Sequence, residues 1–297
     1  MKKLTIAIIT MNRSKQLLRA LQSCELSKLP PKTEYLIIDN ASTDDTESIV
    51  DVFSQSTDCD VRYHKQNENK GVGQGRNICF DLAEGEYIYF MDDDAVISEN
   101  SRNTFFVEST RLMDVNRDIA TISTAIDDRF WGKRIPVFAK HWRINGRPCV
   151  YAFSGGSVFI RKSAFSSPLF LRIMYGNEEI TPSVYAVEKG MFNVFDDSVS
   201  IDHLPENNKW KGKQGANIVL EGVLNILVIK KLLYPKCFSF VLNMACYIRC
   251  RKHSVRYKDI IAQESLRRDE ITKKGCLKKV SVSTVIKCIK EFGLSAL

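Results

Sequence analysis

No stretch of this 297-residue chain offers the roughly 20 uncharged apolar residues that a helix needs to cross a bilayer. The most apolar region, residues 218–250, is broken by Glu221, Lys230, Lys231, Pro235 and Lys236. It reads as amphipathic helices that dock on the body or lie on a membrane. The amino terminus, MKKLTIAIITMNRSK, has neither the length nor the small-residue cleavage site of a signal peptide. Zinc spacing is missing too. Nine cysteines are scattered without a CxxC pair, and Cys246 and Cys250 have no matching second pair. Such an odd, irregular set implies free thiols in a reducing cytosol, mostly as small core hydrophobes. Two phosphate-binding signatures fail as well. A dinucleotide fingerprint would need glycine at position 76, where Arg76 stands, and neither GxxxxGKS nor GxxxxGKT occurs. Internal repeats and low-complexity tracts are absent.

What is present begins with an uneven charge. Residues 206–297 hold 19 Lys/Arg against 7 Asp/Glu, a net of +12, which leaves −4 on residues 1–205. An acidic body with a basic tail points to a polyanionic partner for the tail.

The first 125 residues alternate strand and helix patterns. Strands are expected over Leu4–Thr10, Tyr35–Ile38, Val61–His64 and Tyr87–Met91. Between them lie a helix over Ser14–Cys24 with Ser14 as N-cap, one opening near Ser42/Thr43 with Glu47, and one beginning near Gly75. Residues 127–150 read as irregular, and Tyr151–Arg161 as a strand interrupted by Gly155-Gly156. Residues 179–190 fit a helix, Phe192–Ile201 another strand, and Arg249 to Leu297 a basic helical end. This alternation argues for a mostly parallel sheet covered by helices. Right-handed crossovers then bring strand ends of one sense to one rim.

The sharpest feature is Asp92, Asp93 and Asp94, directly after the apolar run Tyr87–Met91. Three adjacent carboxylates repel one another unless a cation sits among them, and hard divalent cations take carboxylate oxygens. The triplet therefore reads as a metal site or as a solvated acidic turn. Thr10-Met11-Asn12-Arg13, Asp39-Asn40 and the segment from Asn69 to Asn77 follow the other strands, so four polar clusters should share the rim. Glu178-Glu179 reads either as a helix-start pair favourable to the dipole or as a general base. A lone histidine such as His203 is more often a satisfied turn or core residue. Trp131 and Trp142, as large hydrophobes, read as packing or as platforms on which a ligand ring could stack.

TIAIITMNR, LIIDNASTDDT, NKGVGQGRN and YIYFMDDDAVI together resemble the nucleotide-sugar-binding half of glycosyltransferase family 2, inverting enzymes of the GT-A fold. The resemblance runs over residues 4–205. FSGGSVFIRKSAF is similar to the family's acceptor segment, YGNEEITPSVYAVEKG to its acidic-pair helix, and VSIDH to its late histidine. The family often has Glu-Asp where this chain has Glu178-Glu179. The resemblance implies an α/β fold of GT-A type: a mostly parallel, Rossmann-like sheet flanked by helices, with a basic helical C-terminal extension. It divides the chain into a catalytic domain over 1–205 (1–95 for the donor, 96–205 for the acceptor) and a region 206–297 able to reach a membrane. By the same resemblance, Thr10, Asn12, Arg13 and Gly71 line the nucleotide pocket and Asp39 accepts a base imide N–H. Arg76 contacts ribose or diphosphate. Asp92 and Asp93 lie on the donor side, and Asp92, Asp94 and His203 hold Mn²⁺ or Mg²⁺. Glu179, with Glu178 as the alternative, is the base. The implied partners are a UDP-linked nucleoside-diphosphate sugar, a glycan or lipid-linked acceptor such as a lipopolysaccharide core, and an anionic membrane. Nucleic acid is not among them. The implied location is cytoplasmic, peripheral on the inner face of a bacterial membrane. A nucleotidyltransferase ranks lower because TMNRSK has no glycine. A polyanion-binding module leaves the aspartates unexplained.

Overall fold

The computed structural model describes residues 1–173, 176–206, 212–273 and 277–297. Its first half is built from β1 (Lys2–Thr10), α1 (Ser14–Glu25), β2 (Thr33–Asp39), α2 (Thr46–Ser54), β3 (Asp60–Lys65), α3 (Gly71–Leu82), β4 (Gly85–Asp92), β5 (Ala95–Ile97), α4 (Phe105–Val115) and β6 (Ile119–Asp128). Then come β7 (Gly132–Lys133), β8 (Phe138–Ile144), β9 (Arg147–Val150), β10 (Ser157–Arg161), α5 (Ile180–Glu188) and β11 (Phe192–His203). The chain closes with α6 (Gly212–Leu233), α7 (Ser239–Lys252), α8 (Tyr257–Lys273) and α9 (Val282–Phe292).

One sheet of order β3-β2-β1-β4-β10-β6-β11-β9-β8 runs through the molecule, with β5 on β11 and β7 on β6. β1 to β4 are mutually parallel, β10 runs against them, and β6 and β11 resume their direction. The central strands β1, β2, β4 and β10 are buried along nearly their whole length because both faces are covered, whereas β3 and β8, at the sheet edges, are more polar and more open. Leu4, Ile6 and Ile8 of β1 join one core cluster with Tyr87, Tyr89 and Met91, while Ala7 joins a second with Ile88 and Phe90.

Several local expectations are corrected. Ser14 is not a cap: its amide N–H donates to Asp44 Oδ2 at 3.0 Å, and Arg13 takes the N-cap position. The second helix opens at Thr46 rather than near Ser42, with Asp44 Oδ1 accepting the Thr46 amide. The third begins at Gly71, four residues before Gly75, because Asn69 Oδ1 accepts the Gly71 N–H at 2.9 Å. Residues 127–150 are not irregular. Asn145 and Gly146 have φ of 49° and 79°, and they join β8 to β9 as a hairpin. Only Ser157–Arg161 of the segment 151–161 is strand.

The C-terminal helices share the main core. Leu224, Val228, Val285 and Phe292 belong to the same cluster as Leu4. Trp142 packs edge-on between Phe192 and Phe292, which settles it as packing. Among the described residues, no helix is long and apolar enough to cross a membrane.

Candidate active site

The parallel registers pair Thr10 with Asp39 and Ile9 with Asp92, so β1, β2 and β4 end on one rim. β5 turns back along the end of β11 with Ala95 opposite His203. β11 lies parallel to β6 with His203 opposite Asp128. These two ladders set Asp94, His203 and Asp128 in a row. His203 Nε2 is 3.1 Å from Asp94 Oδ1, and its Nδ1 is 2.7 Å from Asp128 Oδ2.

Donor atoms of Asp92, Asp94 and His203 lie within 4.8 Å of one another. Two carboxylates and an imidazole suit a divalent ion such as Mn²⁺ or Mg²⁺, and the arrangement around them fits that use. Burial would push Asp94 up, but the hydrogen bond and charge of His203, with Arg13, hold its carboxyl below the usual range. Burial disfavours a charged His203, yet the bond to Asp94 and the charge of Asp92 and Asp94, with the bond to Asp128, raise its pKa. The ring nitrogen facing Asp94 is thus held in an anionic setting, where a metal ion replaces a proton.

Asp128 was not singled out from the sequence, and it organises this row. Its Oδ1 accepts the amide N–H of Phe130 at 2.9 Å, and its Oδ2 accepts from Arg134 at 2.7 Å. Against the cost of burial, the bonds from Arg134 and His203 bring its pKa down to about 2. An ionised Asp128 fixes Nδ1 as the donor and leaves Nε2 for a ligand, the usual outer partner of a metal-binding histidine. Asp128→Asn should therefore weaken Mn²⁺ affinity by about 10- to 100-fold. Mn²⁺ titration followed by electron paramagnetic resonance would show it, and an unchanged affinity would count against this role.

Asp93 has a different environment. It is buried, its Oδ2 accepts from the Thr10 hydroxyl at 2.8 Å, and its Oδ1 sits 2.7 Å from Arg13. Arg13 also reaches Asp94 at 2.9 Å. Burial, reinforced by Asp94 and opposed by Arg13, pushes the Asp93 carboxyl up to about 6.

Thr10, Arg13, Gly71, Asp92, Asp93, Asp94 and His203 all line one cleft of about 500 Å³, together with Asp128, Phe130, the exposed Trp131 and Arg134. That volume suits a small-molecule site. Asn12 and Asp39 are not in the lining. Asn12, at φ 52°, accepts the Thr43 amide at 2.7 Å. Asp39 is fully buried, with one oxygen on the Ser42 amide at 2.8 Å and the other on the Tyr63 hydroxyl. Both of its oxygens are thus engaged within the chain.

Behind Asp92 lies a second acidic cluster. Arg76 is 4% exposed and pairs directly with Glu178. It also lies 3.4 Å from Glu179 and 3.7 Å from Asp92. Its guanidinium is thus spent on carboxylates of this chain rather than held open for a ribose or diphosphate. Gly155 and Gly156 make room for this cluster. A Cβ on Gly155 would meet the Arg76 guanidinium at 2.4 Å, and one on Gly156 would meet Asp92 Oδ2 at 2.6 Å. Gly73 faces the Leu171 carbonyl, 2.0 Å from where a Cβ would sit. It serves close packing rather than approach to an anion.

The two glutamates are unequal. The side chain of Glu178 is 3% exposed, and that of Glu179 is 19% exposed. Burial first, then the charge of Glu179, push Glu178 up to about 7 despite Arg76. One Glu178 oxygen is buried with no hydrogen-bond partner. Glu179 accepts the Gly155 amide at 3.2 Å.

Residues 5–104, which hold β1 to β4 and the aspartate triplet, match the family model described as glycosyl transferase family 2. That segment, about a third of the chain, resembles glycosyl transferase family 2. The chain is 26% identical over 188 residues to the GalNAc(5)-diNAcBac-PP-undecaprenol beta-1,3-glucosyltransferase of Campylobacter jejuni, a match covering 60% of this chain and 58% of that relative's length. Its fold resembles that of Staphylococcus aureus TarS 1–349 in complex with UDP-GlcNAc, with a TM-score of 0.59 and 16% identity over 76% of this chain and 66% of that one. It also resembles GalNAc-T7 with UDP, GalNAc and Mn²⁺, with a TM-score of 0.64 and 15% identity over 90% of this chain and 54% of that one. At such low identity the two structures show the fold alone. It is the GT-A fold expected of family 2, with the helical region at its end.

Proposed function

We propose that this protein transfers one sugar from a nucleoside-diphosphate donor, UDP-linked, to a hydroxyl of a glycan or lipid-linked glycan, with inversion at the anomeric carbon. The Asp92–Asp94–His203 donor set, facing a cleft of nucleotide size, carries the reading. Asp92, Asp94 and His203 would hold Mn²⁺ or Mg²⁺ there, and the ion would supply positive charge for the departing diphosphate. Residues 1–205 form the catalytic domain in this reading. Thr10, Arg13 and Gly71 line the donor pocket, and Asn12 and Asp39 fix the two turns behind it. Asp93 anchors Arg13 beside the carboxylates. Arg76 holds Asp92, Glu178 and Glu179 in one cluster, and Glu179, the more open glutamate, takes the acceptor proton. Residues 206–297, with their net charge of +12, bring the enzyme to an anionic membrane on its cytoplasmic face. The relative whose name includes an undecaprenol-linked acceptor supports that placement.

Calorimetric titration with UDP, GDP and dTDP, each with Mn²⁺ and again with EDTA, tests the reading. UDP is expected to bind only with the metal present. Binding of none of the three would overturn the donor assignment, and equal binding in EDTA would overturn the metal's role.

A further inference from the structure

α7 is apolar on two opposite faces. Leu242, Ala245, Cys246 and Cys250 are buried on one of them. On the other, Phe240, Val241, Met244, Tyr247 and Ile248 form a stripe at helical spacing, and every one of them is exposed, Phe240 to 74% and Met244 to 52%. A helix with apolar residues on two opposite faces normally has cover on both. Here Tyr257 meets Tyr247 edge-on at 5.6 Å and leaves the rest of the stripe open.

Along the chain the charge flanking this stripe is mainly positive, although Lys230 is buried and Arg256 pairs with Asp259 at 2.8 Å. Between Glu221 and Asp259 the chain carries eight Lys/Arg and no Asp or Glu. Lys236 stands exposed just before α7, and Arg251, Lys252, Arg256 and Lys258 stand exposed at or beyond its end. With 14 residues α7 is about 21 Å long, too short to cross a bilayer but long enough to lie in its surface.

We propose that this outer face of α7 is the membrane-docking surface of the protein, its apolar stripe set among acyl chains and the flanking cations on anionic headgroups. The inference deepens the proposed function, since a lipid-linked acceptor confines the reaction to a membrane surface. A bilayer fits better than a second copy of the chain. A two-fold interface through this face would bring the same cations together, whereas anionic lipid supplies the opposite charge.

Flotation of the full chain with vesicles tests it, without nucleotide or acceptor. Vesicles of phosphatidylglycerol and phosphatidylethanolamine are compared with vesicles of phosphatidylcholine alone. The protein should float with the anionic vesicles. Phe240→Ser with Ile248→Ser should lower that partition roughly tenfold or more, and Arg251→Ala with Lys252→Ala should weaken its salt dependence. All four positions are exposed, so unchanged circular dichroism and UDP binding are expected in both variants. Full partition by the serine variant overturns the proposal. So does a wild-type protein that ignores anionic vesicles, or one that dimerises through this face instead of binding them. Loss of UDP binding with intact flotation would sink the transferase reading and leave this surface standing.

Discussion

Asp94→Ala is expected to abolish metal-dependent sugar transfer, a loss of about a thousandfold or more if the ion supplies several kcal/mol of charge stabilisation. The residue has three connections at once. It is one of the three clustered donors, it faces His203 Nε2 at 3.1 Å, and it lies 2.9 Å from Arg13. Removing it leaves Arg13 with Asp93 alone and turns the cluster from three donors to two. Because Asp94 is buried, thermal unfolding is measured alongside, and Asp94→Asn serves as the variant that keeps the shape. Mn²⁺ titration separates lost metal affinity from lost fold. Full turnover by either variant, or by the wild type in excess EDTA, would contradict the metal role.

Glu179→Gln should retain donor binding and lose transfer by a factor of about 10² or more, the scale of a missing general base. The amide keeps an oxygen for the Gly155 N–H but cannot take up a proton, and it removes the negative charge 3.4 Å from Arg76, so thermal unfolding is measured alongside. Glu178→Gln separates the two residues. Glu178 lies buried against Arg76, with its pKa pushed up to about 7 by burial and by Glu179. A carboxyl raised in the folded state contributes stability while it is protonated, below its unfolded pKa near 4.3. That contribution is lost as pH rises through about 7. The wild type should therefore lose stability between about pH 4 and pH 7 along a slope that Glu178→Gln flattens, as urea unfolding at several pH values would show. A transfer defect in the Glu178 variant that exceeds the one in the Glu179 variant would reverse the assignment of the base.

Much of the donor side was legible because each part is local. A buried run that ends in three carboxylates is visible in any register. The motifs after β1, β2 and β3 follow strands whose apolar patterns are strong. Signals that were equally local were still missed. The Asn145-Gly146 turn marks a hairpin, but the Arg, Lys and Pro around it obscured the alternation of Phe138 to Ile144. The role of Gly155 and Gly156 was not legible, since the atoms they make room for come from Arg76 and Asp92, more than 60 residues away in the chain.

By itself the sequence determined the alternation of strands and helices, the acidic end of β4 and the basic tail, because these depend on residue type, period and neighbours along the chain. Only the tertiary structure decided that Asp128 backs His203, that Arg76 is spent on Glu178 and Glu179, and that one face of α7 stays open. Each of these follows from strand register or from which surfaces become covered. Register and coverage are set when distant segments pack, and a residue's own chemistry does not specify what will lie against it.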